Sequence, residues 1–275
     1  MSTLLFTSVT GTDERAEIMS ARVSEQQRAR ARGVVSVFFN AVVPPSLGNP
    51  FTPTSRYTHG EVGHVRMPLC SGEQFVGQPA GAIQSGVLIA PDIVATARHG
   101  LPPNDEEINA VWFVFDYQIK IASVPATIWR ENMYRGKSII ADDPASPDWA
   151  LVQLDRNVTE ADRVQLRASS LSLLGRHVYT IGHPYGLPVK FGGTAKIGQV
   201  DVVRGSFKAG LDASRGNSGS PVFDAESHAV VGLVISDKTP DFVGAGSCCK
   251  ENFVPLNATE GDECVMVSRF ASFIP

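Results

Sequence analysis

The chain has 275 residues, of which 43% are hydrophobic, so it can build the core of one large domain or of two small ones. Its 24 basic and 28 acidic side chains give a net charge of −4, which does not favour binding to nucleic acid. No apolar run approaches the length of about 18 residues that a membrane-spanning helix needs. We therefore expect neither a nucleic-acid partner nor a membrane partner.

The first 19 residues give no sign of an export signal. They lack a basic region, and the apolar run Leu4-Leu5-Phe6 is too short for the centre of a signal peptide. This predicts a cytoplasmic protein, or a secreted or periplasmic protein whose signal has been removed.

Residues 1–58 differ from the rest of the chain and are predicted to form an N-terminal extension. Residues 13–32 are polar, charged and free of Gly and Pro, which predicts a helix, and residues 24–27 fit a capping box in the middle of that pattern. A strand-like run at 34–39 and a proline-rich linker at 44–53 follow. The extension could be a propeptide, an arm that contacts a regulatory partner, or an addition to the fold that follows.

The remainder of the chain consists of short strand-like segments separated by Gly, Pro, Asn and Asp turns. Predicted strands include residues 82–89, 110–117, 177–181, 197–203 and 230–235. Strands at this spacing predict an all-β barrel architecture.

Three side chains on or beside these strands suggest nucleophilic chemistry. His99 follows the apolar strand 93–97, Asp148 opens the apolar strand 149–154, and Ser218 lies between two glycines. A serine hydroxyl needs an adjacent base, which a histidine can supply, and a carboxylate can orient that histidine. The tight turn around Ser218 can also aim the backbone N–H groups of Gly216 and Ser218 at one developing oxyanion. Each residue alone is often only a turn, a cap or a structural hydrogen-bonding group, so the order and spacing carry the hypothesis.

With these residues in this order, the sequence resembles the chymotrypsin-like, or trypsin-like, serine peptidases. Three motifs of that family are present, in the segments Thr96-Ala97-Arg98-His99, Asp148-Trp149-Ala150-Leu151 and Gly216-Asn217-Ser218-Gly219-Ser220-Pro221. The last motif is most similar to that of bacterial members such as glutamyl endopeptidases.

The resemblance implies two six-stranded antiparallel Greek-key barrels behind a partly helical extension. The first barrel, residues 59–160, would carry His99 and Asp148, and the second, residues 161–275, would carry Ser218. A crossover at 157–171 would join them, and a short helix at 268–274 would close the chain. The implied activity is hydrolysis of a protein or peptide substrate through an acyl-enzyme, with no cofactor.

The residues expected to form the substrate pocket are Asp212, Ser236 and Asp237. In the family, the residue six before the nucleophile lies on the floor of the pocket for the side chain that precedes the scissile bond, and here it is Asp212. A carboxylate there favours Arg or Lys, and Asp237 would add a second negative charge. Glutamyl endopeptidases need a histidine on the strand after the nucleophile, whereas the nearest one here, His228, lies in the preceding turn.

We therefore predict cleavage after Arg or Lys. A Glu-specific endopeptidase and a catalytically silent binding module of the same fold are the alternatives. Asn217 stands where trypsins have the aspartate that binds a newly freed N-terminus, so we do not expect activation through that ion pair.

The remaining histidine and cysteine signals are interpreted as structural. His183 lies at a strand end followed by a fixed turn, and we expect it to be a structural residue. The four cysteines allow a bridge from Cys248 or Cys249 to Cys264, or a fully reduced state. Their spacing matches no standard zinc pattern, so no metal is expected.

Overall fold

The computed structural model describes residues 9–10, 13–40, 48–145, 147–159, 164, 166, 173–236, 241–254 and 261–274. Within these residues the chain forms two closed, six-stranded antiparallel barrels, which confirms the predicted all-β, chymotrypsin-like fold.

Strands make up most of the regular structure. In chain order they are β1 (Val9–Thr10), β2 (Ala16–Glu17), β3 (Val34–Phe39), β4 (His59–Val62), β5 (Val65–Pro68), β6 (Gln84–Ala90), β7 (Ile93–Thr96), β8 (Val111–Val114), β9 (Met133–Asp143), β10 (Trp149–Leu154), β11 (His177–Gly182), β12 (Lys190–Asp201), β13 (Ser206–Ala209), β14 (Pro221–Asp224), β15 (Val230–Ser236), β16 (Phe242–Ala245), β17 (Cys248–Glu251), β18 (Phe253–Val254) and β19 (Asp262–Met266). The described residues contain one α-helix, α1 (Glu25–Ala31), and short 3₁₀ turns at Asp105–Ala110, Arg130–Asn132, Pro184–Gly186, Val267–Arg269 and Ala271–Phe273.

The first barrel closes in the order β10-β7-β6-β3-β8-β9, and β9 pairs with β10. Its interior is filled by apolar side chains that alternate along the strands, among them Val37, Leu88, Val94 and Phe113, none of which is exposed. The second barrel follows the order β11-β14-β15-β19-β13-β12 and closes where β11 pairs with β12, while β2 adds to the outer edge of β12.

An apolar cluster between the two barrels joins them. It contains Val87 and Leu151 from the first barrel and Tyr179 and Leu233 from the second, each at most 1% exposed. Since this cluster is continuous, burial of apolar area fixes the orientation of one barrel against the other.

Two strands of the predicted N-terminal extension, β2 and β3, pair with strands of the barrels. β3, inside the segment predicted as an extension, pairs with β6 and β8, so the first barrel begins before the boundary drawn at residue 59. The helix predicted over 13–32 is wrong for most of its length: α1 begins after its N-cap Ser24, whose capping box with Gln27 is formed. Upstream of it, backbone pairing of β2 with β12 and buried side chains override the helical pattern.

Two further expectations concern the chain connections. The closing helix predicted at 268–274 is replaced by two short 3₁₀ turns. The crossover at 157–171 and the linker at 44–53 lie largely or partly outside the described residues.

The cysteine pairing differs from both alternatives drawn from the sequence. Cys70 forms a disulfide with Cys248, while Cys249 and Cys264 are buried free thiols. The bridge forms because the chain after β5 runs along β17, where the N–H of Cys70 donates to the carbonyl of Cys249 at 2.9 Å. Residues 178 positions apart are brought together by the fold, and their local sequence gives no sign of it.

None of the helices in the described part of the chain combines the length and the apolar character that crossing a membrane requires.

A buried charge cluster anchors the segment before α1. The Arg15 guanidinium, 1% exposed, donates to the two Asp13 oxygens at 2.9 and 2.8 Å and pairs with Glu251 of β17. Burial lowers the pKa of Arg15, but the bond to Asp13 and the charge of Glu251 outweigh it and raise that pKa above its ordinary value. Tyr57 completes the cluster by donating to Glu251 at 2.6 Å.

Replacing Arg15 should therefore destabilise the fold. We expect Arg15→Met to lower the free energy of unfolding by about 3–5 kcal/mol, because the carboxylates of Asp13 and Glu251 stay buried without their cation. Chemical denaturation measures this loss. Arg22→Met, on an exposed arginine of the same segment, is the control and should cost less than about 0.5 kcal/mol. Equal losses for both variants would contradict the importance of the buried pair.

His183 should make stability dependent on pH. It is 1% exposed, its Nδ1 donates to the Leu187 carbonyl at 2.9 Å, and burial lowers its pKa from 6.5 to about 3. The unfolded chain takes up this proton near pH 6.5 and the folded chain only near pH 3. The contribution of the neutral His183 imidazole to the free energy of unfolding is therefore complete above about pH 6.5 and is lost as the pH falls toward 3.

The loss over that range should reach about 4–5 kcal/mol at its acid end. Urea denaturation at several pH values should show a flatter profile for His183→Gln than for the unsubstituted protein. His64→Gln, which removes an exposed imidazole, controls for the substitution itself. Parallel profiles for the unsubstituted protein and His183→Gln would count against a proton-dependent cost at this site.

Candidate active site

Two glycines shape the turn that carries Ser218. Gly216 has φ 96° and Gly219 has φ 81°, a region that other residues rarely adopt. A Cβ atom on Gly216 would lie 2.5 Å from the His183 carbonyl oxygen, and one on Gly219 would lie 2.2 Å from the Ser85 carbonyl oxygen. The motif therefore needs glycine at both positions for its backbone conformation and for its close packing.

Neighbouring strands of the first barrel bring His99 and Asp148 together. His99 follows β7 and Asp148 precedes β10, and these strands are paired with Thr96 opposite Ala150. One oxygen of Asp148 accepts the backbone N–H groups of Arg98 at 2.9 Å and of His99 at 3.2 Å. The other oxygen is hydrogen-bonded to Nδ1 of His99.

Ser218 completes this chain of hydrogen bonds from the second barrel. Nε2 of His99 lies 3.0 Å from Oγ of Ser218, while its Nδ1 faces Asp148. The His99 side chain is 52% exposed and that of Asp148 is 17% exposed, so the arrangement opens to solvent on the histidine side. The three residues selected from the sequence thus come together in the order that proton transfer from Ser218 to His99 requires.

The backbone N–H groups of Gly216 and Ser218 are available to donate hydrogen bonds to a substrate. The carbonyl of Arg215 accepts from the N–H of Tyr185 at 2.6 Å, and that of Asn217 accepts from Ser220 at 2.8 Å. In a trans peptide the C=O and the following N–H point in opposite directions. The N–H groups of Gly216 and Ser218 therefore point away from these partners, and neither has a protein acceptor among the described residues.

Arg98 fixes the loop that carries His99, and this role was missed in the sequence. Its guanidinium donates to Asp142 at 2.6 Å and to the carbonyls of Pro102 and Pro103 at 2.7 and 3.1 Å. Arg98 is only 9% exposed. The one available signal was an arginine at the variable position of the histidine motif, which by itself predicts no partner.

Ser85 is a second residue that sequence reasoning missed. Its hydroxyl donates to the Gly216 carbonyl at 2.8 Å and accepts the N–H of His183 at 2.9 Å, while its own N–H donates to the Ser218 carbonyl at 2.9 Å. A fully buried serine in strand β6 therefore ties the first barrel to the serine turn of the second. The sequence shows only a serine next to Gln84 at the start of an apolar strand, which by itself predicts no partner.

The three predicted pocket residues differ in what the structure describes of them, and Asp212 is described most fully. Asp212 is 4% exposed, and one of its oxygens accepts the backbone N–H of Glu14 at 2.8 Å. This carboxylate is therefore oriented in part by the N-terminal segment, a contact with no sequence signal. The backbone of Ser236 pairs with Glu263 at the end of β15, and Asp237 lies outside the described residues. His228 lies in the turn after β14, hydrogen-bonded to the Tyr179 hydroxyl at 2.9 Å.

A cleft of about 670 Å³ opens beside Gly216. It lies between the chain leading into β6 and the hairpins β4–β5 and β16–β17, and Ala82, Tyr185 and Phe242 are among its lining residues. Its volume is in the range of pockets that bind small molecules or side chains. Among the described residues, no group of three or more His, Cys, Asp or Glu side chains is arranged to hold a metal ion.

Comparisons with solved structures agree with this fold. A Glu endopeptidase in complex with MPD is 14% identical, with a TM-score of 0.55 and 96% of each chain covered. An inactive mutant form of Rv3671c from M. tuberculosis H37Rv is 12% identical, with a TM-score of 0.49 over 96% of this chain and 94% of that one. At such identities the first likeness shows the fold alone. Comparison with curated proteins finds no match.

A family model places the chain more specifically. The model of the trypsin-like peptidase domain matches residues 84–233, a stretch that begins at β6, includes His99, Asp148 and Ser218, and covers more than half of the 275 residues. The chain therefore belongs to the trypsin-like peptidase domain family.

Proposed function

We propose that this protein is a serine endopeptidase in which Ser218 is the nucleophile, His99 the general base and Asp148 the carboxylate that orients it. The observation that carries the proposal is the continuous chain of hydrogen bonds from Asp148 through His99 to Ser218, with 3.0 Å between Nε2 of His99 and Oγ of Ser218. This separation lies within the reach of a general base.

The catalytic cycle follows from these positions. Oγ of Ser218 attacks the scissile carbonyl carbon as its proton passes to Nε2 of His99, and the carbonyl oxygen becomes an oxyanion. The N–H groups of Gly216 and Ser218 stabilise that charge. His99 then gives its proton to the leaving amine as the C–N bond breaks, and water hydrolyses the acyl-enzyme by the same route. The carboxylate of Asp148 stabilises the imidazolium.

For the side chain before the scissile bond, we propose Arg or Lys. Asp212 supports this preference because it places a buried carboxylate in the segment leading to Ser218. The N–H of Glu14, which donates to this carboxylate at 2.8 Å, orients it in part before a substrate arrives. The absence of a histidine in the β15 sequence counts against the Glu-specific alternative.

An active-site label tests the nucleophile. An organophosphonate fluoride should add one phosphonyl group to the unsubstituted protein and none to Ser218→Ala. The Ser218→Ala substitution should also lower peptidase activity by at least about 10³-fold. His99→Ala should slow labelling strongly, and Asp148→Asn should reduce kcat by about 10⁴-fold. Ser71→Ala, on an exposed serine, is the matched control and should behave as the unsubstituted protein. A folded protein that takes up no label would favour the silent binding module.

A substrate panel tests the pocket. Peptide anilides that differ only in Arg, Lys, Glu or Phe before the scissile bond should give kcat/KM values at least about 10²-fold higher for Arg and Lys than for Glu, because Asp212 attracts the former and repels the latter. Asp212→Asn should reduce the Arg value by at least about 10-fold and leave labelling of Ser218 intact. Asp201→Asn, on an exposed aspartate, is the control. Equal rates across the panel would remove the role of Asp212, and highest rates for Glu would support the alternative.

A further inference from the structure

The disulfide Cys70–Cys248 fastens an exposed turn, residues 71–78, to strand β17. Every residue of this turn is exposed or half-buried, so the turn buries little apolar surface of its own. Phe75 has φ 61°, a conformation that a bulky residue adopts only where its surroundings impose it. The position of the turn 71–78 therefore depends on what ties it to the rest of the molecule.

Two hydrogen bonds accompany the disulfide at this junction. The N–H of Cys70 donates to the carbonyl of Cys249 at 2.9 Å, and the N–H of Glu251 donates to the carboxylate of Glu73 at 3.0 Å. Each such bond contributes only about 0.5–3 kcal/mol to stability, whereas the disulfide is covalent. The bridge is thus the strongest contact between the turn and β17.

The inner side of the turn contacts the chain that precedes α1. Gln78 donates to Glu17 at 2.7 Å and accepts from Lys190 of β12 at 2.9 Å. The ring of Phe75 lies 5.5 Å from the Arg15 guanidinium and 4.9 Å from the Lys190 amino group, within the range of cation–π interactions. The turn therefore packs against the buried charge cluster around Arg15.

Strand β17 holds the same part of the chain. Its Glu251 pairs with Arg15 and accepts the hydroxyl of Tyr57 at 2.6 Å. The disulfide thus joins the two elements, the turn 71–78 and β17, that keep Arg15 in place.

Glu14, the neighbour of Arg15, connects this cluster to the predicted substrate pocket. Its N–H donates to Asp212 at 2.8 Å, and its carboxylate accepts the N–H and the hydroxyl of Thr194 at 3.0 and 3.3 Å. Packing is tight here, since a Cβ atom on Gly193 would lie 2.7 Å from Cβ of Glu14 and 3.2 Å from Oδ2 of Asp212. The position of Glu14 therefore affects the Asp212 carboxylate.

The triad is held by other contacts. The bond between His99 and Asp148 lies within the first barrel, and Ser85 of β6 ties the turn of Ser218 to that barrel. A change at the turn 71–78 should consequently alter the pocket while the nucleophile keeps its base.

We propose that the disulfide Cys70–Cys248 is a redox switch of the preference for Arg or Lys. This inference rests on the proposed function. With the bridge intact, the turn 71–78 and β17 hold the chain before α1, and Glu14 orients Asp212. Reduction releases the turn, the chain before α1 gains freedom, and Asp212 loses a fixed donor.

The reductant is a dithiol. One of its thiolates attacks Sγ of Cys248, the S–S bond breaks, and Cys70 leaves as a thiolate that takes up a proton. The second thiolate attacks the mixed disulfide, Cys248 leaves and is protonated, and the dithiol becomes a cyclic disulfide. Two electrons and two protons thus pass from the dithiol to the protein. Attack at Cys248 is favoured because this residue is half-buried and follows the exposed Ser247, whereas Cys70 is 7% exposed.

Hydrogen exchange tests the release without relying on activity. In protein reduced with dithiothreitol, the amides of residues 13–17 and 71–78 should exchange at least about 10-fold faster than in the oxidised protein, and those of β6 should not change. The double variant Cys70→Ser/Cys248→Ser should match the reduced protein with and without dithiothreitol, which controls for other effects of the reductant. If this variant does not fold, reduction of the purified protein provides the same comparison.

Substrate selectivity tests the link to Asp212. On reduction, the ratio of kcat/KM for an Arg anilide to that for a Phe anilide should fall at least about 10-fold, while the rate of phosphonate labelling of Ser218 stays within about 2-fold. Gln78→Ala, which removes the bonds of the turn to the charge cluster, should lower the same ratio in the oxidised protein. Gln74→Ala, on an exposed glutamine of the same turn, is the matched control and should keep the ratio.

The outcomes separate this proposal from the proposed function. Labelled Ser218 with unchanged exchange at 13–17 would reject the switch alone, as would faster exchange with an unchanged selectivity ratio. A joint loss of labelling and selectivity on reduction would indicate general unfolding and would also reject it. If Ser218 takes no label in the oxidised protein, the proposed function fails, and the switch of substrate preference fails with it.

Discussion

The candidate site depends on one set of hydrogen bonds across the boundary between the barrels. Ser85, fully buried in β6, binds the carbonyls of Gly216 and Ser218 and accepts the N–H of His183. Removing a partner from a buried network leaves the others without compensation, so such a network tolerates little displacement. Because His99 comes from one barrel and Ser218 from the other, this junction sets the 3.0 Å between them. The glycines of the serine turn are needed because the junction leaves no room for a Cβ.

The structural features that could be predicted from the sequence are those that depend on a short motif. The histidine, aspartate and serine segments each depend on a few neighbouring residues, and Ser218, His99 and Asp148 meet as the order of the motifs suggested. The capping box at Ser24 was likewise local, and it begins the helix where its residues lie. Local chemistry of this kind can be interpreted without knowing the fold.

Long-range contacts could not be predicted in this way. The Glu14 bond to Asp212 spans 198 positions, and the Cys70–Cys248 bridge spans 178. Residues 13–24 have a helical composition, yet tertiary contacts of Arg15 and pairing of β2 prevail over local preference. The same applies to β3, whose apolar run was recognised as a strand but whose place inside the first barrel follows from pairing with β6 and β8.

The N-terminal segment has a consequence for biosynthesis. Glu14 and Arg15 are translated well before their partners Asp212 and Glu251. A nascent chain therefore holds Glu14 without Asp212, and Arg15 without Glu251, until the ribosome has passed those positions. Translation order alone thus delays the final environment of the Asp212 carboxylate and of the buried charge cluster until both barrels have been synthesised.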